Sequence, residues 1–94
     1  MQKLTKRIID DAPRPTAGQV FIRDSVLRGF ALRVTKGAKT FVLERRVKGR
    51  VRRITIGPYG PLTVEQARRI AEGHIGAIAH GEDPAQTRQD MIKE

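Results

Sequence analysis

Arg33 and Thr35, then Val42, Glu44 and Arg46, then Arg53 and Thr55 recur at two-residue spacing. On extended backbone that spacing puts each set on one side of a strand. A guanidinium can donate two parallel hydrogen bonds to the O6 and N7 acceptors of guanine. A threonine hydroxyl can bond a base edge, and its methyl can touch that of thymine. Lys36, Lys39, Lys48 and Arg50 fall at turns, where a cation would reach phosphate and set orientation rather than sequence. The stretch Arg33–Arg53 holds nine basic residues against one acid, Glu44, and so carries net +8 of the chain's +9. Charge segregated into one compact element is an electrostatic footprint for a polyanion, and first of all for nucleic acid.

Residues suited to catalysis or metal binding are not grouped in this way. Tyr59 is the sole tyrosine and lies in Gly57-Pro58-Tyr59-Gly60, where a loop anchor is the expected role; no base or oxyanion clamp accompanies it. His74 and His80 are six residues apart on one expected helix, so they project about 240° apart and cannot chelate one metal. Asp10-Asp11 and Glu82-Asp83 read as helix-end and turn residues. Gly57–Gly60 lacks the Lys-Ser/Thr of a phosphate loop. Arg68-Arg69 reads as a solvated helix face, with a secondary phosphate contact as the alternative. The expectation is a non-enzyme with no cofactor, no metal and no small-molecule ligand.

At 94 residues the chain has the size of one small domain, and 38% hydrophobic with 31% charged residues suits a folded rather than a disordered chain. It has no cysteine, which excludes a disulfide framework and thiolate metal sites. The apolar runs are short, so neither a signal peptide nor a membrane span is expected, and a cytoplasmic location follows as the expectation.

The elements that must position the basic face can be read in order. Thr5 caps a short helical turn over Lys6–Asp11, with Leu4 before it as an apolar staple, and Pro13 and Pro15 end it. Val20 to Asp24 reads as a short strand, and its shortness leaves the strand count of the sheet open. Gly29 to Thr35 alternates, with Phe30, Leu32 and Val34 on one side. Thr40–Val47 and Arg50–Gly57 form a hairpin about Lys48-Gly49. That turn opposes Val47 to Arg50, Glu44 to Arg53, Leu43 to Ile54 and Phe41 to Ile56. A slip of one residue would set Leu43 against Arg53 and lose the agreement. Thr63 and Gln66 make a capping box for a helix whose apolar stripe is Ala67, Ile70, Ala71, Ile75, Ile78 and Ala79. Gly81 and Pro84 end it, and 85–94 is a polar tail.

Packing that stripe on the apolar sheet face gives an α+β domain: a three-stranded antiparallel β-sheet on one C-terminal α-helix, β-β-β-α, with a short N-terminal helical turn. The opposite face is then left uncovered. A two- or three-stranded ribbon fits the major groove of B-DNA, about 12 Å wide. Single-strand RNA readers usually offer stacking aromatics, and the outer face is expected to have none, since Phe30 and Phe41 belong to the core. A protein-interaction module and an RNA-binding domain remain the two alternatives.

The same residues resemble a family. Asp24-Ser25, Leu27–Val34, Lys39–Leu43, Arg46–Arg50, Arg53–Gly57, Leu62–Arg68 and Gly81–Pro84 are similar, in order and spacing, to the arm-type DNA-binding domain of phage and genomic-island integrases, which are tyrosine recombinases. The resemblance covers roughly residues 3–84. It implies a non-catalytic domain at 1–84 whose sheet enters the major groove at arm-type sites. Residues 85–94 would then begin a linker toward core-binding and catalytic domains that lie outside this sequence. The readers implied by position are Arg33, Thr35, Val42, Glu44, Arg46, Arg53 and Thr55. Double-stranded DNA is the implied partner, with other integrase subunits as a second implied partner, in the bacterial cytoplasm, at the nucleoid.

Overall fold

The computed structural model describes residues 3–79, and the expected helix stop at Gly81-Pro84 and the tail at 85–94 lie outside them. The elements run α1 (Lys6–Asp11), β1 (Gln19–Arg23), β2 (Phe30–Thr35), β3 (Lys39–Val47), β4 (Arg50–Pro58) and α2 (Val64–Ala79). The sheet is a four-stranded antiparallel meander in the order β1-β2-β3-β4, which corrects the expectation of three strands. β1 pairs with β2 along its whole length, from Gln19 opposite Thr35 to Arg23 opposite Ala31. Its inner-face residues Val20 and Ile22 stand beside Val34 and Leu32. An edge strand has one neighbour and buries little; Val20 stays 47% exposed, so the apolar alternation that marks a strand is faint here.

The β3–β4 hairpin keeps the expected register from Val47–Arg50 up to Val42–Thr55. Beyond Val42 it does not. Phe41 lies opposite Gly57, not Ile56, because a bulge between Phe41 and Val42 shifts the register. Gly57 suits that position because a Cβ there would come 2.5 Å from Leu62 Cδ1.

The turn itself has Lys48 at φ 51° and Gly49 at φ 82°, the pair of left-handed residues that a tight hairpin turn demands. An L side chain there costs roughly 1–2 kcal/mol, and asparagine suffers least. Lys48→Asn is therefore expected to stabilise the domain by about 0.5–1 kcal/mol, seen as a rise of roughly 2–8 °C in Tm. A Tm that stays level or falls would show that Lys48 sits in the turn without strain.

The inner sheet face carries Phe30, Leu32, Val34, Phe41, Leu43 and Ile54, and the helices close over it with Leu4, Ile9, Val64, Ala67 and Ala71. The Phe30 and Phe41 rings stack at 5.7 Å. Thr5 Oγ1 accepts from the Ile8 amide, so the expected N-cap is present. Leu4 and Ile9 stand on either side of that cap, both fully buried, as a hydrophobic staple places them. At α2 the capping box closes in both directions: Thr63 N donates to Gln66 Oε1 at 3.0 Å, and Gln66 N donates to Thr63 Oγ1 at 3.2 Å.

Three members of the expected α2 arrangement are not where the sequence put them: Ile70 and Ala79 are exposed, and Arg68 is buried. The buried stripe is Val64, Ala67, Arg68 and Ala71, which follows helical spacing once Arg68 is admitted to it. Arg68 is drawn inward by Asp24, itself buried at the end of β1. Asp24 Oδ1 accepts from Leu4 N at 2.8 Å and from Arg68 Nη2 at 3.3 Å, and its Oδ2 accepts from Leu27 N at 2.7 Å. Arg68 also donates to Leu4 O and to Glu65 Oε1, and its guanidinium lies over the Phe30 ring. One carboxylate and one guanidinium thus join the N-terminal segment, the β1–β2 connection and α2.

Candidate nucleic-acid interface

The outer sheet face is built by strand register. Successive rows across it are Phe21–Arg33–Thr40, then Arg23–Ala31–Val42–Thr55, then Glu44–Arg53, then Arg46–Val51. Neither α1 nor α2 lies on this side, since both pack on the inner face. Admission of β1 to the sheet adds Phe21 and Arg23 to the face, and sequence reasoning missed both. The signal was present: Val20 and Ile22 alternate with Phe21 and Arg23, which assigns the latter pair outward once β1 is paired.

Phe21 also corrects the expectation that the outer face has no aromatic residue. The Arg53 guanidinium sits 4.7 Å from the centre of its ring. The rows of Phe21 and Arg53 flank the row of Ala31 and Val42, so this contact passes over those two residues. Both are 1% exposed as a result. Val42 therefore offers no surface to a partner while that cover is in place.

Glu44 lies near the centre of this face. Its Oε2 accepts from Arg53 Nε at 3.3 Å and Nη2 at 3.0 Å. Its Oε1 stands 3.9 Å from Arg23 Nη1. The acid is thus flanked by one arginine from each edge strand. Beneath it the backbone is fixed. Glu44 N donates to Gly29 O at 2.8 Å, and a Cβ at Gly29 would overlap the Glu44 carbonyl oxygen. Gly29 also has φ 89°, so a glycine is required there twice over.

The remaining expected site residues divide by position. Arg33 and Arg46 stand on the outer face, Arg33 half-buried and Arg46 exposed, and Thr55 stands there exposed. Thr35 ends β2 on the same face, but its hydroxyl accepts from Ala38 N and serves the β2–β3 turn. Lys36 is exposed in that turn, and Lys48 and Arg50 are exposed at the hairpin tip. Lys39 is directed elsewhere: its Nζ donates to Ile9 O at 2.5 Å and closes the C-terminal end of α1 against the sheet. Lysine is well placed there, because the last carbonyls of a helix are unsatisfied.

The catalytic candidates take structural positions. Tyr59 Oη donates to Asp10 Oδ1 at 2.8 Å and its ring meets Phe41 edge-on, as a loop anchor does. The hydrogen bond to Asp10 pushes the phenol pKa up, away from nucleophile chemistry. Lys6 and then Tyr59, by hydrogen bonding to Asp10, hold its carboxyl below the usual range. Among the described residues no group of three His, Asp or Glu is placed to hold a metal ion, and no helix is long and apolar enough to cross a membrane.

A family model described as an arm DNA-binding domain matches residues 4–91, nearly the whole chain. No curated protein matches it.

Proposed function

This chain belongs to the arm DNA-binding domain family, and on that premise we propose that its outer sheet face reads the major groove of double-stranded DNA at arm-type sites. DNA binding and a non-catalytic role go with the family itself. The major-groove assignment is supported by one observation above the others. Arg23, Arg33, Arg46 and Arg53 share the sheet face that both helices leave uncovered. Arginine is the commonest reader of guanine, and a twisted β-ribbon fits the groove. In the fuller reading the domain tethers a tyrosine recombinase to sites flanking its attachment core, beside other integrase subunits, in the bacterial cytoplasm.

Phe21 would favour single-stranded RNA, because such readers stack bases on aromatic rings. Among the described residues it is the single aromatic on this face, whereas such readers stack two or three bases, so the arginines around it favour a duplex.

The test separates base readers from phosphate clamps. Arg46→Ala is expected to cost about 1–3 kcal/mol on the preferred duplex and to relax preference at one position. Lys48→Ala, at the hairpin tip, should weaken all duplexes alike. Titration of each variant against the preferred and a scrambled duplex measures this. Equal, sequence-blind losses for both would reduce the sheet to a phosphate clamp.

A further inference from the structure

Within Arg33–Arg53 the only acid is Glu44, and it stands at the middle of the face offered to DNA. A carboxylate beside phosphates is repelled by them, so its placement needs a reason. Three features supply one. Its Cα is held on the outer face by the bond from its amide to Gly29 O, so the carboxylate stays on that face. Both of its oxygens face guanidinium groups, of Arg23 and of Arg53. Those groups sit at the ends of long stems with side chains 55% and 43% exposed, so they can be drawn off by a stronger anion, whereas the Glu44 side chain is 28% exposed and stays behind.

We propose that Glu44 is the specificity-determining residue of this face, admitting a duplex that presents a cytosine amino group to it and penalising others; this rests on the duplex-DNA reading above. On any duplex, phosphates and base acceptors compete for Arg23 and Arg53. Glu44 then loses its partners while surrounded by negative charge, and an unpaired, partly desolvated carboxylate is costly. A cytosine N4 amino group restores a donor in the major groove. Adenine also presents an amino group, but with the N7 acceptor beside it, and guanine and thymine present acceptors at that position. Glu44 therefore acts less by attraction to the right site than by a penalty against the wrong ones.

The experiment is fluorescence anisotropy on two probes: a random-sequence duplex pool, and the duplex that the wild-type domain recovers by selection from a randomised pool. Glu44→Gln keeps the shape and removes the charge. It is expected to bind the random pool roughly three- to tenfold more tightly, since one repelling charge has gone. It should gain nothing on the recovered duplex, so the ratio between the two falls by the same roughly three- to tenfold. Replacing the selected cytosine pair by a thymine pair should weaken the wild type about tenfold and leave Glu44→Gln nearly unmoved. Equal changes on both probes overturn the proposal and reduce Glu44 to a contribution to net charge. A wild-type selection without a fixed cytosine also overturns it, and needs no variant to fold. A wild type that binds no duplex overturns the DNA reading itself, which distinguishes the two failures.

Discussion

Asp24→Ala is expected to lower folding stability by about 3–5 kcal/mol, because it takes from the buried Arg68 its buried carboxylate and leaves it only the exposed Glu65. A domain of this length has a total of roughly 5–14 kcal/mol, so the loss is a large share of it. The Leu4 and Leu27 amides would lose their acceptor in the same stroke. For that reason the double variant Asp24→Leu/Arg68→Met should recover only part of the loss. It removes both buried charges but leaves the two amides unpaired. Urea unfolding of the three proteins measures this, and a loss under about 1 kcal/mol for Asp24→Ala would mean that the pair behaves as a surface ion pair.

The same site sets an acid limit. Burial pushes the Asp24 carboxyl up, but the Leu4 and Leu27 amides together with Arg68 outweigh that, and its pKa lies below the ordinary 3.8. The unfolded chain binds the proton first as pH falls. The stabilisation is therefore complete above 3.8 and fades as pH drops through the lower folded value. Asp24→Asn should flatten the stability curve in that acid window.

The second large effect is on DNA. With about four to six phosphates neutralised, log K should fall against log salt with a slope of roughly −4 to −5, so a fourfold rise in salt weakens binding about 250- to 1,000-fold. The structure supplies Arg33, Lys36, Arg46, Lys48 and Arg50 for this, together with Arg23 and Arg53 once they leave Glu44. Lys39 is committed to the end of α1. Lys39→Ala should therefore loosen the fold and leave the salt slope unchanged, whereas Lys36→Ala and Lys48→Ala should each reduce it by nearly one. Anisotropy titrations across salt give these slopes, and a flat response would remove the electrostatic basis of the interface.

How far the sequence reveals this arrangement depends on how local each determinant is. The hairpin register follows from side chains within a few residues of the Lys48-Gly49 turn, where pairing Glu44 with Arg53 and Leu43 with Ile54 leaves no good alternative. The caps at Thr5 and Thr63 are equally local. The bulge opposite Gly57 depends on Leu62 packing back on the strand, which the alternation pattern does not register. β1 is a short edge strand, and its pairing with β2 could not be weighed from its own five residues. Phe21 and Arg23 stayed hidden with it. Arg68 and Asp24 are 44 residues apart, and each alone reads as a surface charge; only the fold brings them together. Lys39 likewise looks like a turn lysine until α1 is seen beside it.

On the proposed reading the outer sheet face is the DNA surface. A backbone NMR titration with a short duplex at two salt concentrations tests it most directly. Shifts should cluster at Phe21–Arg23, Ala31–Thr35, Val42–Arg46 and Val51–Thr55, and should shrink at the higher salt. Shifts confined to α2, or none on the sheet at either salt, would contradict it.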